Sequence, residues 1–386
     1  MSEAGRIGKH CGTRFELVTV GSSTTRELHL TIRPRDAEPL AAVARRAATQ
    51  VNAHDARAVR VIAFGLRSAR NATLTALRSR LDDDVPVTWV EGRSCDGHPL
   101  AGLQIHAVAG THVRLVTAAT RVWSTEQATH CMLSGLTPAR TNVSRARQAG
   151  QVFRAIQTGL AEAGMEMKHV ARTWFFLDDI LSWYGAFNRV RNQFFDEQGI
   201  RPPTVPASTG VSGRNPRGAA LTAAVLAVLP HDPGINAVRA VASPGQCPAP
   251  AYGSAFSRAV EVTSNGVRQL LISGTASIAP GGETCHVGNV EAQVARTMEV
   301  VEGILASRRM SLADVSRAVA YFKSARDVAT FSRWLKRRGV KRLPVLNVSG
   351  SICRPDLLFE LELDAIQTLP SEARAADVVA TAEGGA

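Results

Sequence analysis

Laid over itself with a shift of 145 residues, the 386-residue chain repeats: Met165, Val170, Arg172 and Phe176 fall on Met310, Val315, Arg317 and Tyr321. A chain that carries one fold unit twice has two similar apolar faces to bury, so the unit is what the fold must satisfy. Each copy reads as an amphipathic helix, a short loop and an apolar strand: residues 147–163 then 170–177, and residues 290–307 then 315–323. A second helix follows, at about 183–195 and 327–338, closed by Gly199 and Gly339, which suit a left-handed C-cap. A strand ending in Ser-Gly precedes each first helix (131–135 and 270–274), and two closing strands end each unit (206–211 and 219–228; 344–349 and 357–366). The repeated unit is therefore β-β-α-β-α-β-β. It predicts an α+β protein of two tandem modules, the first degenerate and extended at its N-terminus.

Two modules also suit the mass of 41.2 kDa, because single cores rarely grow beyond roughly 250–300 residues. Residues 230–250 carry five prolines and little periodicity, which reads as a connection. The expected division is 1–235 for the extended first module, 236–250 for the linker, 251–368 for the second module and 369–386 for a frayed tail. The leading segment has strand, helix and strand signals at 27–32, 40–51 and 58–64. It is expected to extend the first module rather than to stand alone.

Composition narrows the function classes. Hydrophobic residues make up 45%, charged residues 20%, and mean hydropathy is −0.02, the balance of a globular chain with a sizeable core. No window approaches the roughly 18 apolar residues of a membrane span, and the first residues are polar, so a cytoplasmic protein without membrane contact is expected. Cys11, Cys95, Cys131, Cys247, Cys285 and Cys353 form no CxxC pair, which predicts reduced thiols and no structural metal. Net charge is +12, but forty arginines stand against five lysines with no long basic run. Nucleic acid is not expected as a partner, and a small anionic ligand fits the charge equally well. No phosphate loop, dinucleotide fingerprint or nucleophile elbow is present, so the chemistry should need no cofactor.

The candidate chemistry gathers near the C-terminal end. Alternation along residues 357–366 puts Glu360, Glu362 and Asp364 on one face of a strand. Periodicity alone leaves two readings: a solvated outer face, or a face covered by assembly that leaves one carboxyl desolvated and able to serve as a general acid. Cys353, at the turn into that strand, is either a small buried hydrophobe or a thiol activated by Arg354. Gly274 is either a tight turn or backbone room for a ligand. Arg172 and Arg258 lie in apolar strands and need an anion, internal or bound.

The segments Arg172-Thr-Trp-Phe-Phe-Leu-Asp-Asp, Pro206-Ala-Ser-Thr-Gly, Gly213-Arg-Asn-Pro, Cys247-Pro, Tyr252-Gly-Ser, Ser273-Gly-Thr-Ala-Ser-Ile and Cys353-Arg-Pro-Asp-Leu-Leu-Phe-Glu, in that order over residues 85–368, resemble the chorismatases. Residues 252–366 by themselves resemble the Rid (YjgF-type) fold on which those enzymes are built. The resemblance implies a cofactor-free, metal-free enzyme of secondary metabolism that removes pyruvate from chorismate, as a monomer or a homotrimer. It places the general acid at Glu360, with Glu362 as its neighbour, and Arg172, Arg258, Arg214 and Tyr252 as substrate contacts. Cysteine at position 353 and glycine at position 274 mark the members that form 3-hydroxybenzoate. The alternatives are the hydrolytic members, which give a dihydroxycyclohexadiene carboxylate, a Rid-type imine deaminase, or a non-catalytic ligand- or RNA-binding protein. Ala207 and Leu346 stand where simple Rid deaminases carry a carboxylate-binding arginine, which counts against imine hydrolysis.

Overall fold

Among the described residues three sheets carry the fold, one more than the repeat in the sequence reveals. The computed structural model describes residues 6–369 apart from 23, 83, 235–237 and 265. Its first strands and helices are β1 (Arg6–Gly12), β2 (Phe15–Gly21), β3 (Arg26–Ile32), α1 (Leu40–Asn52), β4 (Arg57–Gly65), α2 (Arg70–Arg78), β5 (Val87–Glu91), β6 (Arg93–Ser94) and β7 (Leu100–Ala109). All but β6 of these strands form one sheet, in the order β1-β2-β3-β7-β4-β5. The leading segment is thus a module in its own right, and the expected extension of the first half is corrected. Val43, Ala47 and Val51 of α1 and Leu74 and Leu77 of α2 pack with Leu28, Leu30, Val61 and Ile105 of its sheet in a separate core.

The middle module runs through β8 (Arg114–Thr117), β9 (Thr120–Ser124), β10 (Ala128–Leu136), α3 (Arg145–Glu162), β11 (Val170–Leu177), α4 (Tyr184–Glu197), β12 (Ala207–Ser212) and β13 (Leu221–Pro230). The last comprises β14 (Val238–Val241), β15 (Ala259–Ser264), β16 (Val267–Ala276), α5 (Val290–Ala306), β17 (Val315–Phe322), α6 (Val328–Arg337), β18 (Val345–Ser349) and β19 (Phe359–Thr368). Helix and strand bounds lie close to those expected, and Gly199 and Gly339 take φ of 67° and 69° just past α4 and α6, where a side chain would be strained. The linker expected at 236–250 is corrected over its described part, because β14 pairs antiparallel with β15, Val238 against Val262. Prolines flank that edge strand without interrupting it. The expected tail lies outside the described residues from residue 370 onward.

In all three modules the strand between the helices sits inside the sheet, parallel to one closing strand and antiparallel to the other: β4 between β5 and β7, β11 between β12 and β13, and β17 between β18 and β19. The pairings align Arg60, Arg172 and Arg317 as counterparts, and likewise Phe64, Phe176 and Tyr321. Phe64 meets Phe176 at 5.8 Å and Tyr321 at 6.2 Å between ring centroids. A shared core containing Ile62, Trp174, Val211, Leu271, Val319 and Leu346 joins faces of all three sheets, while each module keeps its own core between sheet and helices. One chain therefore builds a pseudo-threefold assembly. Short β6 crosses over to pair with β18 of the last module, Ser94 against Val348.

Candidate active site

The strand β19 decides what each carboxyl of the alternating set becomes. Glu360, Glu362 and Asp364 all face inward and are 4%, 0% and 6% exposed, so the reading of a solvated face is corrected: the other two sheets cover it within the same chain. Glu362 accepts from Arg172 Nη2 at 2.8 Å and from the Thr209 hydroxyl, and it pairs with Arg317. Asp364 pairs with Arg317 Nη1 at 2.9 Å. Arg317, Arg172 and Thr209 hold Glu362 ionised, its pKa below the ordinary value in spite of burial.

Glu360, one pleat along, lies at the end of this network and faces a cavity between the middle and last modules. Burial, and then the charge of Glu362, push its pKa up to about 8 from the usual 4.5, with Arg172 pulling the other way. At neutral pH it is a neutral carboxylic acid with a proton to give. Gly274 shapes this position. A β-bulge interrupts the β16–β19 pairing between Ile272 and Thr275, and a Cβ on Gly274 would stand 2.2 Å from Glu360 Oε1. The backbone N–H of Gly274 donates to Thr209 Oγ1 at 3.1 Å. The hydroxyl that binds Glu362 thus also anchors the glycine that leaves room for Glu360.

Walls come from two modules. Tyr184, Arg191, Ser208 and Gly210 belong to the middle one, and Tyr252, Phe256, Arg258, Gly274, Cys353, Arg354 and Glu360 to the last. Three guanidiniums among these residues give the cavity a positive lining. Arg258 donates its Nε to the Cys247 carbonyl at 2.9 Å and lies over the rings of Tyr252 and Phe256, yet its buried Nη2 has no partner. Arg191 donates Nη2 to Asn188 Oδ1 at 2.9 Å while its Nε is buried and unpartnered. Arg354 donates to the Gly282 carbonyl at 2.7 Å and lies over Tyr252. Buried donors without partners are rare in a finished core, and two of them here belong to side chains that line the cavity.

Of the expected site residues, Glu360, Cys353, Gly274, Arg258 and Tyr252 line one cavity. Three do not. Arg172 is fully buried against Glu362, because the anion it needs is internal. Glu362 itself is committed to Arg172, Arg317 and Thr209. Arg214 is 73% exposed and pairs with Asp178 at 3.0 Å. The idea of an activated Cys353 is corrected as well, since burial and the nearby Glu360 push its thiol up to about 12. It is a neutral, weakly polar wall. Arg191 and Tyr184 went unrecognised in the sequence, although Arg191 left a signal: it lies on the buried face of α4 with Phe187, Phe194 and Phe195, where an amphipathic helix has no other reason to place a cation.

Comparisons with known proteins agree with this architecture. The family model described as endoribonuclease L-PSP matches residues 118–216, the middle module, which is the copy expected to be degenerate. A chorismatase of Streptomyces rapamycinicus is 29% identical over 231 residues, covering 54% of this chain and 68% of that one. A chorismatase of Streptomyces hygroscopicus is 26% identical over 311 residues, covering 68% and 88%. A chorismatase crystal structure superimposes with a TM-score of 0.58 at 21% identity, covering 80% of this chain and 93% of the other. Among the described residues no helix is long and apolar enough to cross a membrane. By matched sequence the chain is similar to the chorismatases, and by fold it is similar to a chorismatase crystal structure, with its middle module matching the L-PSP family model.

Proposed function

We propose that this protein converts chorismate to 3-hydroxybenzoate and pyruvate without a cofactor, with Glu360 as the general acid. The observation that carries the reading is the buried Glu360 carboxyl, its pKa pushed up to about 8 by burial and Glu362, in a cavity that also holds Arg191, Arg258 and Arg354. Chorismate has two carboxylates and an enol ether. Unpartnered Arg258 Nη2 and Arg191 Nε are suited to its carboxylates, which charge-assisted bonds would hold strongly in a site shielded from water. Proton transfer from Glu360 to the enolpyruvyl methylene makes the ether carbon cationic; the ring's own hydroxyl oxygen then bonds to the ring carbon as its bond to the ether oxygen breaks, and pyruvate leaves with that oxygen. The carboxylate left on Glu360 regains its proton from the ring as it aromatises, so no water is consumed.

Product choice turns on which carbon is attacked, because water adding at the cationic ether carbon would leave the ether oxygen on the ring as a hydroxyl. In the aromatising reaction an oxygen of the ring itself attacks, and no water need enter. Cys353 supports that outcome: its neutral thiol packs against apolar side chains beside Glu360 and gives an attacking water little to bind. The test is to incubate the chain with chorismate and identify products by chromatography and mass, in parallel with Cys353→Ala. 3-Hydroxybenzoate with equimolar pyruvate supports the proposal, and a shift toward the dihydroxycyclohexadiene in the variant supports the role of Cys353. A dihydroxycyclohexadiene from the native enzyme assigns the hydrolytic reaction instead, and no pyruvate from chorismate at any pH refutes both.

A further inference from the structure

At the far end of the same pseudo-axis lies a second polar cluster that the proposed reaction does not use. Glu27 and His29 are two residues apart on β3 and share its inward face, and His106 on β7 pairs directly across from His29. One side-chain donor atom from each lies within 4.8 Å of the others, and all three residues are buried. Glu27 Oε2 and His106 Nε2 are 2.9 Å apart, and the two imidazoles stack at 4.7 Å. His29 Nε2 is buried without a partner, and so is Nε2 of His130. His130 stacks on Trp123, which in turn meets His106 edge-on. A small cavity opens beside the cluster, lined by Glu27, His130, Thr25, Thr125, Ser264 and Gln269 from all three modules.

We propose that Glu27, His29 and His106 bind one divalent transition-metal ion of the zinc class, clamping β3 to β7 of the first sheet at the end opposite the active-site cavity. Two imidazoles and a carboxylate on adjacent strands form a borderline nitrogen and oxygen donor set, which selects zinc-like ions over magnesium or calcium. The ion takes the place between Glu27 and His106 and gives the orphaned Nε2 of His29 its partner. The adjoining cavity supplies the fourth position, through a water or through His130. Gln269 at this cavity and Gly274 at the active site are five residues apart on β16, about 16 Å along a strand, so the ion is structural and takes no part in the chemistry. The spacing of these histidines in the sequence shows no metal motif, because neighbouring strands bring them together.

The test uses the full-length, untagged chain, stripped with a chelator and then dialysed against zinc or cobalt. One equivalent of metal per chain, a cobalt visible spectrum of four- or five-coordinate type and a raised thermal midpoint are expected. His29→Ala and His106→Ala should abolish all three, while His54→Ala, at the surface pair of His10 and His54, should change none. Glu27→Gln keeps a hydrogen-bonding group opposite His106 and should lose stoichiometric binding even if an alanine variant fails to fold. Absence of stoichiometric binding in the native chain overturns the proposal. So does binding that survives both His106→Ala and Glu27→Gln in folded protein, or that disappears with His54→Ala.

Discussion

Two carboxyls on one face of β19, two residues apart, meet opposite fates. Glu360 faces the cavity and keeps its proton to about pH 8, while Glu362 lies among Arg172, Arg317 and Thr209 and stays ionised. Both are buried, so burial alone does not separate them. What differs is compensation: a desolvated carboxylate survives where guanidiniums and a hydroxyl reach it, and protonates where they do not. The charge of Glu362 then raises Glu360 further. The network that stabilises the fold thus also sets the protonation state of the candidate acid.

Removing the acid should have the largest effect. Glu360→Gln is expected to lower pyruvate release by about 10²–10⁴-fold in a protein that still folds. It should also raise stability. The folded pKa of Glu360 lies above the unfolded value, so the folded state holds a proton that the unfolded state has released between about pH 4.5 and 8. Stability falls across that window as pH rises and is level above it. Glutamine removes a penalty of up to about 3 kcal/mol at pH 7; urea unfolding at pH 5 and pH 7 measures it, and a variant less stable than the native chain at pH 7 would break the contrast.

At the other carboxyl the sign reverses. Glu362→Gln leaves Arg172 and Arg317 short of their counter-charge and is expected to destabilise by about 3–5 kcal/mol, read from the denaturant midpoint. In whatever fraction folds, the alkaline limb of kcat/KM should move below its native position near pH 8, because the neighbour that raises the pKa of Glu360 is gone. An unmoved limb would show that burial alone sets Glu360. Gly274→Ala sharpens the contrast by geometry, since its Cβ meets Glu360 Oε1 at 2.2 Å. Displacing the acid by that much should reduce kcat about 10²-fold, with little change in unfolding midpoint. Arg214→Ala gives the smallest effect: this exposed arginine, paired with Asp178, should leave kcat and KM unchanged in a steady-state assay.

Much of the fold was legible because helix and strand periods report burial directly. The two recognised modules, their helices and their closing strands all appear near their expected bounds. The first module escaped because its counterpart positions share little identity: Ile62 faces the axis where Trp174 and Val319 do in the others, and Gln104 where Ala224 and Glu362 do. Packing requires only that the face stay apolar or paired, so the repeat persisted in shape after it faded in sequence. Arg60 still marks it, 4.2 Å over the Trp174 ring.

The chain by itself determined which side chains share a face, because alternation along a strand is a property of the local backbone: Glu360, Glu362 and Asp364 belonged together before any partner was known. It also determined that arginines within apolar segments needed anions. Which anion each one received was a tertiary decision. Arg172 and Arg258 look alike in sequence, but β11 carries the first to Glu362, whereas the second stands just before β15 at the cavity. Local periodicity sets direction within one element, whereas charge compensation depends on which elements meet, and only packing three sheets around one axis settled that.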